Sequence, residues 1–207
     1  MPSTPPPSDR TLFVGDVHGC AEEFGQLLDQ VQPGRVVLVG DLFTKGPDPT
    51  GVWELIREHG CEAVRGNHDQ RVLDHPDRVV LPQEARRWLA GRPLFLLELG
   101  LTVVHAGVHP TLGVAGTTTA MALSMRFWPP GSERHWYEDY AGTSTVVFGH
   151  DARQGLVRRE RIVGLDSGCV YGGKLTGWLR EEDRLFSVPA ARVYCPVSSI
   201  NTRAALT

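Results

Sequence analysis

The chain lacks several things, and each absence closes a class of function. No apolar run approaches the roughly 18–20 residues needed to cross a bilayer, so no membrane span is expected. No two of the four cysteines form a CxxC pair. Cys20, Cys61, Cys169 and Cys195 are scattered, which argues against a zinc knuckle or a dithiol redox motif. Basic residues are not in excess: 21 Lys and Arg stand against 24 Asp and Glu, a net charge of -3. A nucleic-acid-binding surface is ordinarily basic, so neither DNA nor a membrane is expected as a partner. The opening MPSTPPPSDR has no apolar core and does not read as a secretory leader. It reads as a disordered Pro/Ser tail over residues 1–10. Without an export signal the thiols are expected to be reduced, in a cytoplasm. No internal repeat or linker interrupts residues 11–207, which suit one domain. Nothing in the sequence sets the oligomeric state.

What is present in the first hundred residues is a regular alternation. TLFVG (11–15), RVVLVG (35–40) and CEAVRG (61–66) read as short buried strands. Residues 21–31 place Phe24, Leu27, Leu28 and Val31 on one helical face, and residues 49–59 do the same with Val52, Leu55 and Ile56. Further helices are expected near 68–74 and 83–90. This βαβαβ order predicts a mainly parallel sheet with right-handed crossovers. The second half changes character: LFLLEL, LTVVHAG, TVVFGH, RIVGLDSG, LTGWLRE and RLFSVP read as strands of a mixed or antiparallel sheet. Between them, residues 107–144 are rich in Gly, Thr and Pro, with one short helix expected near 119–126. A connection this long is usually functional or disordered, and it is expected to form a cap over a site.

The chemistry gathers where strands end. Asp16 and His18 follow the first strand, Asp41 the second, and Asn67, His68 and Asp69 the third. His105, His150 and Asp166 follow later ones. Ligands of open α/β sheets bind beyond the carboxyl ends of the strands, so these residues are predicted to converge. Carboxylate, imidazole and amide oxygen together suit first-row divalent ions. They are too many for one tetrahedral zinc, and two ions sharing a carboxylate fit better. Asp16 and His18, two apart in an extended segment, can face the same side. Paired metals are the usual device for in-line displacement at phosphorus.

The order GDVHG … GD(x)4GP … RGNHD … HAG … GH resembles the calcineurin-like metallophosphoesterases, in the branch shared with the phosphoprotein phosphatases. The resemblance covers about residues 11–188. Within the branch it is closest to the bacterial symmetrical diadenosine tetraphosphate hydrolases, through MRF (125–127), LDSGCVYGGKLT (165–176) and RRWLAGRPL (86–94), with Ser167 where the family pattern has threonine. The resemblance implies an α/β fold, a two-layer mixed β-sandwich flanked by helices, with two divalent metal ions at its edge. It implies that Asp16 and His18 bind the first metal, that Asp41 bridges both, and that Asn67, His105 and His150 bind the second. Mn²⁺ or Co²⁺ is favoured, although such ligands also accept Mg²⁺, Zn²⁺ or Fe. The metal pair would turn water into hydroxide at neutral pH for attack on phosphorus, splitting a small nucleotide substrate, diadenosine tetraphosphate, into two ADP.

Five further assignments follow. His68 would protonate the leaving group or hydrogen-bond the phosphate. Arg65, Lys45 and Arg126 would bind phosphate, two of them as guanidinium forks, and Tyr171 would contact substrate. Lys45 replaces the arginine usual in this family and keeps only its charge. Thr44 stands where protein phosphatases of this fold carry an aspartate that pairs with the histidine equivalent to His68. That loss tilts the reading toward a phosphoanhydride, whose leaving group is already a good anion. A serine/threonine or tyrosine protein phosphatase is the alternative. The aromatics Trp128, Trp136, Tyr137 and Tyr140 are expected mainly to pack the 107–144 segment onto the body, though one could stack on adenine.

Overall fold

The structure, a computed structural model, describes residues 9–196. The expected tail therefore lies outside the described residues over 1–8. Arg10, assigned to that tail, is anchored: its carbonyl accepts the Gly34 and Arg35 N–H groups, each at 3.0 Å.

In chain order the elements are β1 (Thr11–Val14), α1 (Ala21–Val31), β2 (Arg35–Leu38), α2 (Pro49–Glu58), β3 (Glu62–Ala63), α3 (Asn67–Asp74), α4 (Gln83–Ala90), β4 (Phe95–Glu98), β5 (Leu101–Val104), α5 (Thr119–Ser124), β6 (Thr145–Phe148), β7 (Val157–Arg159), β8 (Ile162–Gly164), β9 (Lys174–Leu179) and β10 (Arg184–Pro189). They build two five-stranded sheets, ordered β10-β9-β1-β2-β3 and β4-β5-β6-β8-β7. The first is parallel across β1, β2 and β3, as the alternation predicts, but the closing hairpin β9–β10 returns to pair antiparallel with β1. The second is mixed: β5, β6 and β8 are parallel, and β4 and β7 are antiparallel edges.

The period-2 alternation of the strands separates three cores. Phe13, Val37, Val39, Leu101, Val103, Val147 and Val163 point between the sheets. Leu12, Val14, Val36 and Leu38 point the other way, onto Phe24, Leu27, Val52 and Ile56 of α1 and α2. Val104, Val146, Phe148 and Ile162 face outward from the second sheet, and Ala122, Met125, Trp136 and Tyr137 of the 107–144 segment cover them. That segment is thus the outer layer of the second sheet, held by buried aromatics. Trp136, 1% exposed, also donates its indole N–H to the Ala106 carbonyl at 3.1 Å. Each large apolar side chain buried in these layers contributes on the order of 1.5–3 kcal/mol.

Sandwiching the sheets has one consequence for function. The carboxyl ends of β1, β2, β3, β5, β6 and β8 carry Asp16, Asp41, Asn67, His105, His150 and Asp166, and the parallel pairings bring them to one edge.

Candidate active site

Six non-glycine residues have positive φ, and four of them belong to this edge: His18 (48°), Asp41 (57°), Lys45 (68°) and His150 (72°). Each costs on the order of 1–3 kcal/mol unless the surroundings hold it, and such residues concentrate at functional sites. Here the surroundings are hydrogen bonds between loops. His18 N–H donates to the Asp41 carbonyl at 2.8 Å and Gly19 N–H to Leu42 at 2.7 Å, locking the GDVHG and GDLFTKGP loops together. Two glycines make the approach close enough. A Cβ at Gly66 would lie 2.2 Å from Asp41 Oδ1, and one at Gly149 would lie 1.9 Å from Asp16 Oδ1.

Backbone donors aim the carboxylates. His150 N–H donates to both Asp16 oxygens (3.1 and 3.2 Å), and His68 N–H donates to Asp41 Oδ1 at 2.8 Å. Neighbours also fix the imidazoles. His105 Nδ1 meets the Val39 carbonyl at 2.9 Å, which makes it the protonated nitrogen and leaves the Nε2 lone pair facing Asn67 Oδ1 at 3.0 Å and Asp41 Oδ1 at 3.5 Å. His150 Nδ1 lies 3.1 Å from the same Asn67 oxygen. His18 Nδ1 meets Thr44 Oγ1 at 3.0 Å, and its Nε2 lies 3.6 Å from Asp41 and 4.0 Å from Asp16. The six residues expected to bind metal are therefore assembled around Asp41.

Electrostatics agree with a cation-binding site. Burial pushes the Asp41 and Asp166 carboxyls up to about 6. Asp16 is raised by burial and then by the charges of Asp166 and Asp41. Burial also lowers His105 to about 4 and His18 well below its usual range, so both imidazoles are neutral. Neutral imidazoles and uncompensated buried carboxylates are the donor set a divalent ion requires. Lys45 stands in for part of that charge: its ammonium lies 3.2 Å from His18 Nε2 and donates to Tyr171 Oη at 2.8 Å. Asp16, Asp41 and His105 bring ligand atoms within 4.8 Å of one another, so the residues fit a metal centre.

The carboxylates open onto a cleft of about 780 Å³ lined by His18, Asp41, Lys45, Asn67, His68, Arg126, His150, Asp166 and Tyr171, among others. Of the phosphate-binding expectations, Lys45, Arg126 and Tyr171 line it. Arg126 is tethered to Asp151 at 3.3 Å and to the His150 carbonyl at 3.2 Å. Arg65 does not line it, and its Nε is buried without a partner among the described residues. Arg126 is the only residue of the 107–144 segment in the described lining, because that segment's aromatics are spent on the second sheet. Thr44 holds His18, expected to bind the first metal, and forms no bond to His68, whose ring packs edge-on against His18 at 5.2 Å.

One cleft residue escaped sequence reasoning, and the part played by Asp69 was not read from its place among the strand-end residues. Arg153 lines the cleft, and its guanidinium makes no ion pair or hydrogen bond with the described residues; lying in an irregular turn three residues past His150, it carried no signal. Asp69, fully buried, accepts three backbone N–H groups: Asp41 (2.7 Å), Leu42 (2.9 Å) and Gly66 (2.9 Å). It buckles the Asp41 loop to the start of α3. The signal was its place in the first turn of α3, where an acid turns back to free N–H groups. Asp69→Ala is expected to cost about 3–5 kcal/mol by stranding three buried donors. Denaturant unfolding checks this, and a loss under 1 kcal/mol would rule the buckle out.

A calcineurin-like phosphoesterase family model matches residues 9–190, and the chain belongs to that family. The family uses a dinuclear divalent metal centre. Among its relatives is a chain from Aromatoleum aromaticum, "Bis(5'-nucleosyl)-tetraphosphatase, symmetrical". It is 28% identical over 268 aligned positions that take in 86% of this chain and 96% of the relative, so part of that relative has no counterpart in this shorter chain. A chain of the same name from Methylobacillus flagellatus is 27% identical, covering 86% and 95%. The crystal structure of a candidate diadenosine tetraphosphatase superposes with a TM-score of 0.81 at 33% identity, over 90% of this chain and 96% of that one.

Proposed function

We propose that the chain is a cytoplasmic hydrolase that splits diadenosine tetraphosphate symmetrically into two ADP. The observation that carries this reading is the convergence of Asp16, His18, Asp41, Asn67, His105 and His150 at the floor of a cleft whose walls bear Lys45, Arg126 and Arg153. The likeness to chains named tetraphosphatases supports the substrate. Asp16 and His18 would hold a first divalent ion, Asp41 both, and Asn67, His105 and His150 a second, with Mn²⁺ or Co²⁺ favoured. When bound, such ions supply charge neutralisation and a water-derived nucleophile at neutral pH.

The protein's own part is positioning. Arg126 is pre-oriented by Asp151, so its fork meets a phosphate at little further entropic cost. Lys45, held by Tyr171, places a point charge in the same cleft. Arg153 adds a cation for the outer phosphates of a chain that carries about four negative charges. His68 lies beside the metal ligands; burial, then Lys45 and Arg71, lowers its imidazole to about 3. At neutral pH it is neutral and donates a hydrogen bond instead of delivering a proton. ADP, a stable anion, leaves without one, whereas a serine alkoxide does not.

Two measurements test this. kcat/KM with Mn²⁺ is expected to be at least about 100-fold higher for diadenosine tetraphosphate than for phosphopeptides, and the reverse order would replace the reading with a protein phosphatase. His68→Gln, which keeps an N–H donor, is expected to stay within about tenfold of wild type, while His68→Ala loses about 10²–10³-fold. Equal losses in both would mean that His68 acts as an acid.

A further inference from the structure

Among the described residues only two groups of three metal-ligating side chains bring their ligand atoms within 4.8 Å of one another. One is Asp16, Asp41 and His105. The other is Cys20, Glu23 and Cys169, which takes no part in the chemistry above. We propose that Cys20, Glu23 and Cys169 form a separate site for one zinc ion, which ties the floor of the cleft to its C-terminal wall.

The trio is buried, at 0%, 1% and 2% exposure. Cys20 caps the start of α1, and Glu23 follows one turn later on the same face. Cys169 opens the short 3₁₀ turn Cys169–Tyr171 after β8. One Glu23 oxygen is fully used: Oε1 accepts Ala191 N–H at 2.9 Å and Tyr194 O–H at 2.7 Å. These bonds fix the carboxylate. Its second oxygen, Oε2, is buried with no hydrogen-bond partner among the described residues. A buried carboxylate oxygen without a donor is costly, and a bound ion is one of the few things that explain it.

The donor chemistry selects the ion. Two thiolates and one carboxylate are too soft for Mg²⁺ or Mn²⁺ and suit Zn²⁺. Zinc–sulfur bonds of about 2.3 Å and zinc–oxygen bonds of about 2.0–2.2 Å set tetrahedral ligand atoms some 3.5–3.8 Å apart, inside the observed spread. Zn²⁺ would replace the two thiol protons, which pass to solvent, and keep one position for water. A second cavity, of about 420 Å³, borders Glu23 and is lined also by Glu22, Asp48, Arg192 and Tyr194. Glu22 and Asp48 in its lining favour a cation, against one arginine.

The consequence is mechanical. His18 lies two residues before Cys20 and Tyr171 two after Cys169, and both line the catalytic cleft. The segment held by Glu23 runs on to Cys195 and Pro196, which line it too. Zinc would fasten all three together.

Cobalt is the probe, because only cysteine gives a thiolate-to-cobalt absorption band. The full chain, reduced and stripped with chelator, is titrated with Co²⁺ and then with Zn²⁺. We expect a thiolate band that saturates at one equivalent, persists in Asp41→Asn and in Cys195→Ser, and disappears in Cys169→Ser. Zn²⁺ should bleach it with at least tenfold higher affinity. Glu23→Gln should weaken zinc about 10–100-fold. No thiolate band in the wild-type chain, or a band indifferent to Cys169→Ser, overturns the proposal. Should Cys169→Ser not fold, an unchanged zinc affinity in Glu23→Gln overturns it alone.

Discussion

Asp41→Asn is expected to abolish hydrolysis, a fall of at least about 10³ in kcat or roughly 4 kcal/mol of barrier, while the metal-free chain becomes more stable. Asp41 faces both halves of the site: Oδ2 lies 3.6 Å from His18 and Oδ1 3.5 Å from His105. An amide keeps an oxygen for the His68 N–H but loses the negative charge shared between the proposed metals. The stability gain has the opposite sign for the same reason. Burial raises the Asp41 carboxyl from 3.8 to about 6. A folded-state value above the unfolded one means that stability is lost as pH rises from about 4 through 6, and the full cost is present at neutral pH. Asparagine removes a cost on the order of 3 kcal/mol. Activity assays paired with thermal melts in chelator test both halves. Retained metal-dependent turnover would refute the bridging role.

Added Mn²⁺ is expected to raise the melting temperature strongly at pH 7.5 and weakly at pH 5. Asp16, Asp41 and Asp166 are all raised by burial, so at pH 5 protons already relieve their repulsion and compete with the ion. At pH 7.5 the carboxylates are ionised, and the ion binds what the fold has to hold against its own charge. An ion at about 100 times its dissociation constant adds about 2.7 kcal/mol. At about 2–4 °C per kcal/mol for a chain of this size, two ions give about 10–20 °C. An equal shift at both pH values would mean that these carboxylates do not bind the metal.

Much of this site was legible because its residues ride on strong local patterns. The helix at 21–31 announces itself through Phe24, Leu27, Leu28 and Val31, and it forms over that range. Val36, Val37 and Leu38 mark a strand buried on both faces, and the acid after it is placed by the strand's length. What the sequence did not carry is tertiary. The pairing of β9 with β1 joins residues far apart along the chain, and β7 is a three-residue edge strand whose exposed Arg158 and Arg159 carry no strand pattern. The left-handed backbone of His18, Asp41, Lys45 and His150 is only weakly signalled, since Asp and His tolerate it better than most residues but seldom adopt it; the loops that hold them impose it. Thr44 illustrates the limit best. Its identity raised the right question about substrate, but its partner, His18, lies 26 residues earlier and only the folded loops bring them together. Arg65 shows the converse, a motif residue just past β3 that does not line the cleft.

The most direct test is the product pattern. The full chain, loaded with Mn²⁺ or Co²⁺, is given diadenosine tetraphosphate, and the nucleotides are separated by chromatography at early turnover. The account predicts ADP alone, formed at twice the rate at which substrate disappears. AMP with ATP would contradict symmetrical cleavage, and no nucleotide product would contradict the assignment altogether.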